Sequence, residues 1–338
     1  MGSMTFVYAT DHNFVDILLV SMYSLLDRHV EDALTIYIII DNDVDDGDQI
    51  RIKELADHFG KQVVLLNMPD LCRLTDAQLD VGRYAMSMFS RLCVGSLLPD
   101  SVKRIVYLDC DTLIMDTLRP LWGWDLKGAV MGAVNDSRSR LYGRNIGIRK
   151  ENCYINSGVL LIDVERYRQR NCERRLLNRL AELNGRLEFP DNDVLCTEMQ
   201  DEILLLPMRY NMISPYSMCS WSELMGLRHP QHPIPKSEYE EEQKKIAILH
   251  FTTFVLLKGR PWMEGCDHKY AELYRRIWKS VTGKPLRKMS VPTRGRWLAA
   301  QLQKVLPRFI CVAGLGVVHA YIKPILQSVK LCRKRKMA

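Results

Sequence analysis

Two carboxylates, Asp109 and Asp111, stand between apolar runs: Ile105-Val106-Tyr107-Leu108 leads into them and Thr112-Leu113-Ile114-Met115 follows. An unpaired carboxylate is costly to bury, so acids in this setting need a structural or chemical reason. Residues 104–108 read as a buried strand, and the carboxyl end of a parallel strand is where open α/β sheets bind ligands. Alternate acids at such an end reach one ion if the chain turns there, and oxygen ligands suit Mn2+ or Mg2+. A strand-terminating turn with helix-capping acids has the same spacing. The triplet alone does not separate the two, because Asp41-Asn42-Asp43, Asp43-Val44-Asp45, Asp46-Gly47-Asp48 and Asp191-Asn192-Asp193 repeat it. The cluster at 41–48 lacks a glycine and a terminal glutamate at the offsets of a calcium loop, and it reads as a solvated turn.

The surrounding periodicity sets the fold class. Residues 5–9 read as a short buried strand, followed by the polar turn Thr10-Asp11-His12-Asn13 and a helix-like apolar run over 14–26. A β-branched strand over 34–40, helical spacing over 49–59 and a strand over 62–66 continue the alternation. Residues 86–98 carry helical spacing, and strands are expected over 129–134, 156–162 and 245–250. Strands alternating with helices predict an α/β fold with a mostly parallel central sheet.

The 338 residues suffice for one large α/β domain with an appendage. Net charge is +7, but residues 287–338 hold twelve Lys or Arg and no Asp or Glu, leaving 35 basic against 40 acidic residues over 1–286. The body therefore does not read as a nucleic-acid binder, whereas the basic end suits an anionic surface. This divides the chain into a domain over 1–286 and a basic amphipathic, membrane-associating helical tail over 287–338. The tail's apolar run over 309–322 has fourteen residues, against ~20 needed to span a bilayer, so it is expected to lie in the interface. Trp297, Leu298, Leu302, Val305 and Leu306 supply the apolar surface, while Arg294, Arg296, Lys304, Arg308 and the closing Arg333-Lys334-Arg335-Lys336 supply charge. A helix packed on the body with a disordered basic end is the competing reading. Ten cysteines without a C-x-x-C pair predict reduced thiols in a cytosolic setting, and the first residues carry no export pattern.

Several classes lack their motifs. No G-x-G-x-x-G follows the first strand, and no glycine-rich loop ends in Lys-Ser or Lys-Thr, which disfavours a dinucleotide oxidoreductase and a P-loop hydrolase. A sugar-phosphate nucleotidyltransferase usually opens with a glycine-rich basic loop that is absent.

Six segments follow in order between about residues 5 and 280: Ala9-Thr10-Asp11-His12-Asn13-Phe14, Ser90-Arg91-Leu92, Tyr107-Leu108-Asp109-Cys110-Asp111-Thr112, Tyr154-Ile155-Asn156-Ser157-Gly158-Val159-Leu160-Leu161, Pro190-Asp191-Asn192-Asp193-Val194-Leu195, and Leu249-His250-Phe251 with Arg260-Pro261-Trp262. Together they resemble the family 8 glycosyltransferases, which include glycogenin and bacterial lipopolysaccharide galactosyl- and glucosyltransferases. The resemblance implies a GT-A nucleotide-sugar-binding fold and a retaining, metal-dependent transfer from a UDP-sugar, with UDP-galactose or UDP-glucose as donor. It implies that Asp109, Asp111 and His250 ligate Mn2+ or Mg2+; a histidine after a strand is otherwise a hydrogen-bonded structural residue. Ala9, Thr10, Asp11, Asn13 and Phe14 match the uridine segment, where Phe14 keeps a ring but not the usual tyrosine hydroxyl, or simply starts a helix core. Arg91 matches a donor contact, and Cys110 lies between the two acidic ligands. Asp136, Asn156, Asp191 and Asn192 match positions lining the donor sugar, Asp191 orienting it and Asn192 on the reacting face; a turn at Asn156 and a helix start at Asp191-Asn192 are the alternatives.

The closing segment departs from the family's H-x-x-G-x-x-K-P-W pattern. Thr253 replaces the glycine and four residues are added before Pro261-Trp262, so either Lys258 or Arg260 would reach the diphosphate. Residues 207–235, rich in Pro, Met and aromatic side chains, read as irregular structure shaping an acceptor cleft. The acceptor expected is a saccharide or glycolipid, such as lipopolysaccharide core, met at the inner face of the cell membrane. A non-catalytic, membrane-docked nucleotide-sugar-binding relative is the rival reading.

Overall fold

Leu34-Thr35-Ile36-Tyr37-Ile38-Ile39-Ile40 is apolar at nearly every position, the composition of a strand covered on both faces. The computed structural model describes residues 3–69, 86–183, 187–252, 259–286 and 305–329. It places that run in the heart of a seven-stranded sheet. The strands are β1 (Met4–Thr10), β2 (Leu34–Ile40), β3 (Gln62–Asn67), β4 (Arg104–Leu108), β5 (Thr112–Ile114), β6 (Met131–Asn135), β7 (Ile155–Asp163), β8 (Ile203–Leu205), β9 (Met212–Ile213) and β10 (Ile248–His250). The large sheet runs β3-β2-β1-β4-β7-β6-β8, and β5-β10-β9 form a smaller one. β1 to β4 pair in parallel, as do β6 and β8, while β7 runs against both neighbours. The class expected from the periodicity, α/β with a mostly parallel sheet, is the one observed.

Both faces of the sheet are buried. Side chains alternate with period two along a strand, so Phe6, Tyr8, Val106 and Leu108 enter one core, while Val7, Ile105 and Tyr107 enter the other. The first core is covered by α1 (Val15–Arg28) and α2 (Asp46–His58), and the second by α3 (Arg140–Ile146), α4 (Cys172–Glu182) and α5 (Pro190–Glu198). Helices α6 (Trp221–Arg228), α7 (Ala271–Thr282) and α8 (Arg308–Val317) join the first core from the side of the small sheet. Each fully buried Leu, Ile or Phe contributes roughly 1.5–3 kcal/mol, so two-sided burial makes this sheet a rigid base for whatever sits at its strand ends.

Three regions differ from the sequence-based expectation. The acidic cluster at 41–48 is an exposed turn at 42–43 that runs into a helix start: Asp45 accepts the Asp48 N–H at 2.8 Å, and buried Asp48 lies 2.6 Å from His12 Nδ1. The stretch 207–235 is a chain of short elements, a 3-10 turn at Met208–Asn211, β9, a helical turn at Ser214–Met218 and α6. A reciprocal capping box between Ser220 and Glu223 starts α6 and gives it a definite boundary.

The third is the C-terminal helix. α8 continues through a π-helical turn, Val318–Ile322, into a 22-residue helix, Arg308–Val329, long and apolar enough to cross a membrane by length and composition. The fourteen-residue run ended at Lys323-Pro324, and the preceding wide turn lets the helix pass a residue that lacks an N–H. This helix is docked on the body. Cys311, Val312 and Ala320 are buried, Ser139 Oγ donates to Ala320 O at 3.0 Å, Asn145 Nδ2 donates to Pro324 O at 2.6 Å, and Arg308 pairs with Glu223. Gly316 crosses Gly226 so closely that a Cβ there would stand 2.0 Å from Gly226 O. Trp297, Leu298, Leu302, Arg294, Arg296, Lys304 and Arg333 to Lys336 lie outside the described residues. The described cysteines carry no disulfide.

Candidate active site

The turn after β4 and the pairing of β5 with β10 assemble the acids and the histidine. Asp109 N–H donates to Gly158 O at 2.7 Å, and Thr112 N–H donates back to Asp109 O at 3.2 Å, which turns the chain between the two sheets. β5 then pairs antiparallel with β10, setting His250 opposite Thr112. Phe251 N–H donates to Asp111 O at 2.9 Å, so His250 is delivered beside the acids by strand register. Ligand atoms of Asp109, Asp111 and His250 lie within 4.8 Å of one another. His250 Nε2 is 3.0 Å from Asp111 Oδ1 and 3.9 Å from Asp109 Oδ2.

A second layer orients these groups. Asn211 Nδ2 donates to Asn156 Oδ1 at 2.8 Å, and Asn156 Oδ1 also accepts the Gly158 N–H at 3.1 Å. That fixes the Asn211 amide with its oxygen toward His250, 2.9 Å from Nδ1. Nδ1 therefore donates to Asn211, which leaves Nε2 facing the two carboxylates, where a shared cation would take its lone pair. Gly158 keeps the space open. A Cβ on it would stand 2.3 Å from His250 Cε1 and 2.6 Å from Asp109 Oδ2. Two carboxylates and an imidazole around a cradle that only glycine leaves free fit Mn2+ or Mg2+.

Two arginines clamp the carboxylates. Buried Arg91 donates to Asp109 Oδ1 at 2.7 Å and to Ser157 O at 2.8 Å, lies 3.2 Å from Asp191 Oδ2, and covers the Tyr107 ring at 4.8 Å. Burial opposes its charge, but Asp109 and Asp191 hold it protonated. Arg260 donates to Asp111 Oδ2 at 2.6 Å and to Phe251 O at 3.0 Å. Burial would raise the Asp111 carboxyl, yet His250 and Arg260 hold it well below the usual range. Burial raises Asp191, which Arg91 opposes. Of the two candidate cations in the closing segment, Arg260 reaches the cluster, and Lys258 lies outside the described residues.

The remaining predicted residues divide by location. Asp191 and Asn192 occupy the first turn of α5 and reach back to β7: Ser157 Oγ donates to Asp191 at 3.2 Å, Ser157 N–H donates to Asn192 Oδ1 at 2.6 Å, and Asn192 Nδ2 donates to Ile155 O at 2.8 Å. Both ends of the Asn192 amide thus fasten backbone. Asp136 is buried and accepts from Arg138 Nε at 2.6 Å. These residues line one cavity of about 400 Å³ with Asp109, Asp111, His250, Arg91 and Arg260. Ala9, Thr10, Asp11, Asn13 and Phe14 sit at the end of β1, outside that cavity, joined to Cys110 where its Sγ–H meets Ala9 O at 3.0 Å. Asp11 caps Phe14 N–H at 3.1 Å, its carboxyl raised by burial and by Asp43; Phe14 is half-buried against the core.

Asp109 and Asp111 follow the carboxyl end of β4, which pairs with β1 where the strand order reverses, the place at which open α/β sheets bind ligands. Comparison with known proteins agrees. The family model "Glycosyl transferase family 8" matches residues 5–265. The chain belongs to this family. Among its relatives are General stress protein A of Bacillus subtilis, 23% identical over 273 residues covering 80% of this chain and 91% of that protein, and a lipopolysaccharide 1,2-glucosyltransferase of Escherichia coli K12, 28% identical over 271 residues covering 78% and 72%. The solved galactosyltransferase LgtC, in complex with donor and acceptor sugar analogs, superposes with TM-score 0.66 at 21% identity over 87% of this chain and all of that one. The family 8 member described here therefore has the GT-A fold.

Other cavity residues carried no signal in the sequence. Arg138, Arg228, His319 and Lys323 line the same space. They come from a loop, α6 and the C-terminal helix. Gly158 was legible in principle, since a glycine inside an apolar strand marks close approach of another group.

Proposed function

We propose that the chain transfers a hexose, galactose or glucose, from a UDP-sugar to a saccharide acceptor with retention at the anomeric carbon. The observation that carries this reading is the cradle of Asp109, Asp111 and His250, held open by Gly158. A divalent cation bound there would neutralise charge growing on the leaving diphosphate. The protein's own part is orientation. Asn211 sets the His250 tautomer, Arg91 fixes Asp109 and Asp191, and Arg260 adds positive charge beside Asp111. Asp191 orients the donor sugar. With the Asn192 amide tied to Ser157 and Ile155, no neutral group there acts as nucleophile, which favours attack on the face the diphosphate leaves, with a diphosphate oxygen taking the acceptor proton. The uridine is assigned to residues 9–14.

The acceptor is proposed to be lipid-linked or lipopolysaccharide-core saccharide, and the enzyme to lie on the inner face of the membrane. Exposed Phe309, Val317, Ile325 and Leu326 on the C-terminal helix, with twelve cations and no acid over 287–338, support that placement. UDP release from a panel of UDP-sugars, with and without Mn2+, tests the central reading. One UDP-sugar is expected to be hydrolysed in a metal-dependent way and spared by Asp109→Asn and Asp111→Asn, each losing about 10²–10³ in rate. Donor binding without turnover across a broad acceptor panel would instead favour a non-catalytic relative.

A further inference from the structure

One wall of the cavity is built by elements that the family motifs do not include. Arg138 follows β6, Arg228 closes α6, and His319 and Lys323 stand four residues apart on the C-terminal helix. Arg138 donates to Asp136 Oδ2 at 2.6 Å, and its guanidinium lies 5.1 to 5.5 Å from the Phe189, Tyr142 and Tyr154 rings. The aromatic faces hold it in place and stabilise its charge. Arg228 stands 3.7 Å from the other Asp136 oxygen, and its buried Nε has no hydrogen-bond partner.

A guanidinium has five N–H donors, and a buried one left under-satisfied is costly. Asp136 cannot complete both arginines. Glu188 also faces the cavity, so this wall carries Arg138, Arg228 and Lys323 against Asp136 and Glu188, a net positive charge. Near the metal cradle the balance is opposite, with Arg91 and Arg260 against Asp109, Asp111 and Asp191. His319 registers the positive field: burial, then Lys323, Arg228 and Arg138, push it down to about 3. It is neutral near pH 7, able to donate and accept.

We infer that Arg138, Arg228, His319 and Lys323 form a subsite for an anionic group, phosphate or carboxylate, carried by the saccharide acceptor. This rests on the transferase reading above. Planar guanidinium forks suit both groups, and Arg138 and Arg228 both pair with Asp136, on the side of the cavity away from the Asp109, Asp111 and His250 cluster. The C-terminal helix is then part of substrate recognition, and Gly226 crossing Gly316, with Ser139 and Asn145 gripping its backbone, holds it there.

The test is equilibrium binding to the full chain with Mn2+ and UDP present. The probes are inorganic phosphate and a panel of mono- to trisaccharides, each compared with its phosphate- or carboxylate-bearing counterpart. Anionic members are expected to bind about tenfold tighter, and Arg228→Gln and Lys323→Gln each to cut that preference severalfold. A second arm compares UDP-hexuronates with UDP-hexoses. A preference there, lost in the same variants, would place the anion on the donor sugar and overturn the acceptor assignment. Equal binding of neutral and anionic members by the unmodified protein overturns the subsite itself, and that comparison needs no variant to fold. Metal-dependent UDP-sugar hydrolysis in the same preparations separates the outcomes: if it persists, only the subsite fails, and if it is absent, the transferase reading fails with it.

Discussion

The two halves of the cavity contrast in charge and in construction. The half proposed to hold the metal is excess carboxylate, with Asp109, Asp111 and Asp191 clamped by Arg91 and Arg260, and its acids sit after a strand end or in the first turn of α5. The opposite half is excess cation, with Arg138 and Arg228 on Asp136 and Lys323 lining the same space, and its groups are brought by a loop and two helices packed against each other. A sheet buried on both faces fixes positions to within a fraction of a side chain. A helix laid over another depends on the contact between them. The metal half should therefore fail by local obstruction, and the cationic half by movement of a whole element.

The largest effect expected is from Gly158→Ala. Its Cβ would enter the cradle 2.3 Å from His250 Cε1, so metal-dependent hydrolysis should fall by about 10³ or more, comparable with removing a main electrostatic contributor. Retention of activity, read by UDP release against Mn2+ concentration, would break the contrast at once. Asn211→Ala should come next. Without its oxygen 2.9 Å from His250 Nδ1, the imidazole loses its fixed tautomer, and Mn2+ affinity should drop about 10–100-fold, measured by calorimetry.

The cationic half is probed by Gly316→Ala, which sets a methyl group against Gly226 O and forces the C-terminal helix outward. Overpacking of this kind costs roughly 1–3 kcal/mol. The melting temperature should fall by a few degrees and saccharide transfer severalfold, while donor hydrolysis stays within about twofold. Equal loss of both activities would show that the two halves are not separable.

The smallest effect lies behind the aromatic cage. Asp193 is wholly buried, accepts from Tyr154 OH at 2.7 Å and from Tyr142 OH at 3.1 Å, and is pushed up to about 6 by burial against those bonds. Its folded pKa lies above the unfolded value of about 3.9, so the native state binds the proton more tightly between the two. Stability from this group is full at the acid side of that window and declines as pH rises through it, on the order of 2 kcal/mol. Asp193→Asn should flatten the difference between urea midpoints measured at pH 4.5 and pH 7.

The paired acids of the carboxylate-rich half were legible because their setting is written in local sequence. Acids embedded between apolar runs need a partner, and β2 was bounded at residues 34–40 by composition alone. His250 could be nominated by resemblance, but only the β5 to β10 register brings it beside Asp111. Asn156 and Asn192 were nominated by resemblance, yet their bonds to Asn211 and to the β7 backbone are invisible in a linear pattern. Lys258 and Arg260 looked equivalent, since both are cations in one loop; Arg260 contacts Asp111, and Lys258 lies outside the described residues.

The sequence by itself determined an α/β sheet, a pair of acids at the end of its fourth strand and a strongly basic C-terminal stretch, because apolar periodicity and charge are local properties. Only the tertiary structure decided that the C-terminal helix closes on the cavity and that Arg138 and Lys323, far apart in the chain, face the same space. The reason is physical: a helix pattern says which side seeks burial, whereas the surface that buries it is set by packing among elements distant in sequence. Here the close crossing of Gly226 and Gly316 makes that choice.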